Sequence, residues 1–154
     1  MSRTISYKGT CDIGTQDRIS LATIKGKVGY KITKFQIMST APGVGNSEFI
    51  GQIYKKDQTG SIATTVNFTD PDLLAVSFVK EGSSPAEGYA NTIIMDNEKF
   101  NQDVFVNITD ASSGTTPCNY YIELETMDLS DLETTMLTLK SLRTVTSRWV
   151  NNII

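Results

Sequence analysis

An all-β fold is predicted by three features of this sequence: an antiparallel β-sandwich, jelly-roll-like or related, of eight or nine strands with one C-terminal α-helix. Strand-forming Thr, Val, Ile, Tyr and Phe recur in short runs. Turn signals separate those runs at spacings of roughly ten residues, the pattern of a sandwich or barrel. Only from Ser130 onward does the apolar spacing change from that of strands to that of a helix. With 154 residues and 16.9 kDa, the chain has room for one domain, residues 1–129 forming the sandwich and 130–154 a helix and tail that belong to it.

The first run is Thr4 to Lys8, with Ile5 and Tyr7 on one face, and the second is Arg18 to Thr23. The third, Lys27 to Ser39, changes its apolar parity between Ile32 and Phe35. A strict period of two sets those residues on opposite faces, so a β-bulge or bend is expected at Thr33–Lys34. Residues 41–46 are a loop, Phe49 to Lys56 a strand, and Asp57-Gln58-Thr59-Gly60 a turn. Ile62, Thr64, Val66 and Phe68 alternate with Ser61, Ala63, Thr65 and Asn67, as in a strand with one wet face. Asp70-Pro71-Asp72 ends it, and the nearly all-apolar Leu73 to Val79 reads as a strand buried on both faces. Glu81 to Gly88 is the longest loop. Thr92 to Met95 is a short run, and Asn97 to Asn101 turns the chain. Val104, Val106 and Ile108 alternate cleanly, Asp110 to Pro117 is a loop, and Tyr120, Ile122 and Leu124 mark the last strand.

Ser130 and Glu133 have capping-box spacing, and Leu132, Met136, Leu139 and Leu142 follow at helical spacing. Asp131 and Glu133 in the first turn and Lys140 and Arg143 in the last suit the helix dipole. A helix is expected from about Asp131 to Thr144.

The composition leans against catalysis. There is no histidine, which removes the commonest general base and metal ligand together. Two cysteines, Cys11 and Cys118, form no Cys-x-x-Cys, so no zinc site is expected. They can pair only if the N-terminal strand lies beside the strand near Cys118; otherwise they are two partly buried thiols. Gly43-Val44-Gly45-Asn46 lacks the Gly-Lys-Ser/Thr of a phosphate loop. Asp96, Glu98 and Asp103, and also Asp70 and Asp72, sit near turns but match no calcium loop. No cofactor and no metal are expected. The sequons at Asn67 and Asn107 fall in expected strands, and chance accounts for them. Met1 to Gly14 are polar, so no secretory signal is expected, and no apolar run approaches the ~20 residues of a membrane span.

Charge is uneven. From Arg18 to Asn46 there are five basic residues (Arg18, Lys25, Lys27, Lys31, Lys34) and no acid; from Asn119 to Glu133 there are five acids, Glu123 and Glu125 among them, and no base. These stretches either neutralise each other within the fold or pair between subunits. Nucleic acid is disfavoured as a partner, because the net charge is −3 and aromatics do not interleave with the basic stretch. On the helix, Leu132, Met136, Leu139 and Leu142 are expected to cap the sandwich. Leu137 and Val145 lie off that stripe, and Arg148, Trp149, Val150, Ile153 and Ile154 extend beyond it. That surplus of apolar residues marks them as candidate interface.

Three segments together carry a resemblance. They are Asn97-Glu98-x-Phe100-Asn101-x-Asp103-x-x-Val106, Cys118-Asn119-Tyr120-Tyr121-Ile122-Glu123-Leu124-Glu125, and the helix ending Leu139-x-x-Leu142-Arg143. Over Asn91 to Arg148 the chain resembles small virion structural proteins (capsid, capsid decoration or tail) of aquatic bacteriophages. The resemblance implies a β-sandwich subunit without catalytic residues that assembles with itself and with other virion proteins, in a virion put together in the host cytoplasm. The competing expectation is a carbohydrate-binding or adhesion module with exposed aromatics drawn from Tyr54, Tyr89, Tyr120, Tyr121 and Trp149. The single Trp lies in the tail, which weakens that reading.

Overall fold

A computed structural model describes residues 2–43, 46–82, 88–95 and 98–141. Among these residues nine strands run in order: β1 (Arg3–Cys11), β2 (Thr15–Ile19), β3 (Val28–Ser39), β4 (Ser47–Tyr54), β5 (Leu73–Glu81), β6 (Tyr89–Ile94), β7 (Lys99–Phe100), β8 (Val104–Asp110) and β9 (Cys118–Asp128). They form two antiparallel sheets, β1-β9-β3-β7 and β2-β8-β4-β5-β6. Helix α1 follows at residues 131–141. With β6 set aside, the pairs β1–β9, β2–β8, β3–β7 and β4–β5 nest one inside the next. That wound ribbon is the strand order of a jelly roll, with β6 added at an edge.

Alternation builds the core. Tyr30, Ile32, Phe35 and Ile37 of β3 and Tyr120, Ile122 and Leu124 of β9 face Phe49 and Ile53 of β4 and Val104, Val106 and Ile108 of β8. The parity change in β3 is a bulge: the register against β9 shifts between Ile32 and Lys34. Thr33, the extra residue, donates from Oγ1 to the Glu123 carbonyl at 3.2 Å.

The structure departs from the periodicity in several places. Residues 62–68 form no strand. In sheet two, β8 and β5 already occupy both edges of β4. The segment instead crosses the outer face of that sheet, where Gln52 Nε2 donates to the Thr65 carbonyl. Asn67 and Asp70 satisfy nearby backbone N–H groups at Thr69 and Asp72, the local bonding by which such residues compete with a ladder. Sheet two therefore has a second apolar cluster on that face: Ile50, Tyr54, Leu73 and Val76, flanked by Phe78 and Met95. Its β8 has no wet face either, since Asn107 and Thr109 are buried. The second strand ends at Ile19, because the N–H groups of Leu21 and Ala22 turn to the Asp103 carboxylate at 2.8 and 2.9 Å. Lys99 and Phe100, in an expected turn, pair with β3, and Phe100 stacks on Tyr30 with centroids 6.0 Å apart.

Candidate functional site

The surface that stands out is α1 and its attachment. At its entrance Leu129 is buried, and its N–H donates to the Lys27 carbonyl at 2.8 Å. Gly29 packs directly beneath it: a Cβ there would lie 2.6 Å from Leu129 Cδ2 and push that side chain aside. Ser130 then caps the helix, its Oγ accepting from the Glu133 N–H at 3.2 Å and donating to Glu133 Oε1 at 3.3 Å.

The inner face of α1 is Thr134, Leu137, Thr138 and Ser141, all half-buried. Asn101, almost wholly buried, donates from Nδ2 to the Gly26 carbonyl at 3.0 Å and to Thr138 Oγ1 at 3.1 Å. Gly26 sits at φ +63° and leaves room for that amide. Lys56 Nζ donates to the Ser141 carbonyl. Charges clamp the rim: Lys27 with Asp131 at 3.1 Å, Lys99 with Glu133 at 3.9 Å, and Glu98 between Lys140, at 2.9 Å, and Lys55. Burial alone would raise the Glu98 carboxyl, but the hydrogen bonds from Lys55 and Lys140 outweigh it and hold the group below its usual range.

The outer face is apolar. Leu132 is 71% exposed, Met136 61% and Leu139 59%. The expectation that this stripe caps the sandwich is therefore corrected. Polar and charged contacts orient the helix, and its one inward leucine is Leu137, beside Lys55, Asp72, Lys99 and Phe100. Leu137 thus belongs to the helix's own docking face. Leu142, Val145, Arg148, Trp149, Val150, Ile153 and Ile154 lie outside the described residues.

The charged candidates meet within the chain. Lys31 stands directly opposite Glu125, with an ion pair at 3.5 Å, and Lys34 stands opposite Glu123, which also accepts from Tyr121 Oη at 2.8 Å. Lys27 goes to Asp131 on the helix, and Lys25 is exposed in the turn before β3. The structure thus brings the basic and acidic stretches side by side on β3 and β9. No periodicity argument could find this, because it depends on strand order.

Among the described residues the buried carboxylates are taken up by neighbouring groups. Glu98 is held by lysines. Burial would raise the Asp103 carboxyl, but the Ala22 and Leu21 N–H groups and Arg18 hold it low. Among the described residues no group of three metal-ligating side chains comes together. A hollow of about 320 Å³ opens between β3, β9, β5 and β6, lined by Met38, Val79, Thr92 and Tyr121 among others. Of the candidate aromatics Tyr54 and Tyr120 are buried, Tyr121 is half-buried, and Tyr89 is exposed against Phe78. Outside these candidates Phe68 is also exposed. No helix among the described residues is long and apolar enough to cross a membrane. A scan against protein-family models finds no match to this sequence, and a search of curated proteins finds none.

Proposed function

We propose that this chain is a self-assembling structural subunit of a bacteriophage virion, a capsid or capsid-associated protein that acts through protein–protein interfaces and not through catalysis. One observation supports assembly above the rest: α1 docks by its polar face and presents Leu132, Met136 and Leu139 to solvent. Exposed apolar side chains aligned on a rigid element mark an interaction site. The virion setting rests on the resemblance over Asn91 to Arg148. Jelly rolls serve in both capsids and lectins, so the fold alone does not choose between assembly and sugar binding.

A second copy of this chain is the occupant we assign to the stripe. Met136 lies between Leu132 and Leu139, one turn of helix from each. A two-fold axis through Met136 sets Leu132 of one copy against Leu139 of the other, an isologous contact.

Light scattering at two salt concentrations tests the reading. The wild-type chain is expected to form an oligomer. The triple variant Leu132→Ser, Met136→Ser, Leu139→Ser is expected to run near 16.9 kDa with an unchanged β circular dichroism spectrum. A wild-type chain that stays monomeric at both salts, or a variant that still assembles, would overturn the assignment. Binding of a glycan probe by the monomer would favour the carbohydrate module.

A further inference from the structure

The chain has two cysteines, separated by more than a hundred positions, and the β1–β9 ladder sets Cys11 directly opposite Cys118. Facing residues of an antiparallel pair point to the same side of the sheet, and here both side chains are fully buried in the core. Facing Cα atoms lie about 4.5–5.5 Å apart. That falls inside the roughly 4.4–6.8 Å that a disulfide spans. We propose that Cys11 and Cys118 are a cross-strand oxidation site, which an oxidising small-molecule disulfide converts into an intrachain bond clamping edge strand β1 to β9.

In the reduced protein both thiols are free. Cys11 Sγ lies 3.4 Å from the Thr15 carbonyl, and Cys118 Sγ lies 3.6 Å from the Asn119 carbonyl, both as weak donors. Oxidation proceeds by two exchanges. One cysteine thiolate attacks oxidised glutathione, forming a mixed disulfide and releasing one glutathione thiolate. The second cysteine thiolate then attacks the protein sulfur of that mixed disulfide and expels the other glutathione. The protein loses two protons and two electrons, and the oxidant becomes two molecules of reduced glutathione.

Burial sets the pace. It pushes both thiols up, Cys118 to about 12, so few thiolates exist at neutral pH while the strands are paired. Reaction therefore runs through opening of β1, an edge strand with a partner on one side only. The site sits at the end of the β1–β9 ladder opposite the helix, so oxidation and α1 act on different parts of the fold.

The test incubates the full chain with oxidised glutathione, denatures it without reductant, and alkylates. The expected product is a monomer lacking two hydrogens, with no alkylatable thiol and one linked peptide pair holding Cys11 and Cys118. Its melting temperature should shift upward and return on reduction with dithiothreitol. Cys11→Ser and Cys118→Ser should each abolish the linked pair. Two alkylated thiols after prolonged oxidation, a stable glutathione adduct in place of the linked pair, or bonds only between chains would each overturn the proposal. A β-type circular dichroism spectrum of the wild-type protein before and after oxidation keeps misfolding from being read as either result.

Discussion

Along β9 the apolar residues Tyr120, Ile122 and Leu124 turn to the core, whereas along α1 Leu132, Met136 and Leu139 turn to solvent. Both elements show clean apolar periodicity. Periodicity says which side chains share a face; it does not say where that face looks. β9 has no choice, because it lies between β1 and β3 and only one of its faces meets the other sheet. The helix is attached at its edge and end, where Asn101, Glu98, Lys56 and Lys99 supply polar and ionic contacts to one side. Hydrogen bonds and ion pairs have therefore decided the helix's orientation against its own apolar stripe.

The sharpest way to break this contrast is to truncate one residue on each element. Leu124→Ala opens a cavity in a fully buried site and should cost about 2–5 kcal/mol in denaturant unfolding. Leu139→Ala, measured where the chain is monomeric, should change stability by no more than about 0.5 kcal/mol. Equal losses would mean that the stripe is covered within the chain. Asn101→Ala comes next. It strips the Gly26 carbonyl and Thr138 Oγ1 of their shared donor and should cost about 1–3 kcal/mol, with faster hydrogen exchange in α1 than in β9. Ser130→Ala removes the cap and should cost about 1 kcal/mol, read in helical circular dichroism.

Acid gives the smallest effect. The Glu98 carboxyl titrates below its ordinary value of 4.5 in the folded chain. Its contribution is therefore complete above 4.5 and is lost as the pH falls through the lower folded-state value. On acidification helical circular dichroism should weaken before the β signal, and Glu98→Gln should blunt that early step. Simultaneous loss of both signals would show that the helix and sandwich unfold as one unit.

The strands were largely legible because one buried face imposes a period of two, and even the bulge at Thr33 could be placed from a parity change between Ile32 and Phe35. Ile62 to Phe68 carried the same period and misled, since alternation cannot report whether a sheet edge is free to receive the segment. The helix, its cap and its charged ends were legible from local chemistry. Its outward face was not, because that depends on Asn101 and Gly26, which approach from a distant turn. Nor could spacing in the chain show that Lys31 would meet Glu125 or Cys11 would meet Cys118, since both pairs are products of strand order.

The nesting of β1–β9 around β2–β8, β3–β7 and β4–β5 also governs how the chain reaches this state. Of the nested pairs only β4–β5 closes over a short stretch, beside the added β5–β6 pair; Thr126 donates to the Arg3 carbonyl across 123 positions. Loop-closure entropy is met before such distant contacts return anything, and folding slows as contact order rises. On the ribosome β1 must wait, unpaired, until β9 has emerged. During that interval its edge is open to other chains, so the same pairing that completes the sheet makes the wait for β9 the stage most exposed to misassembly.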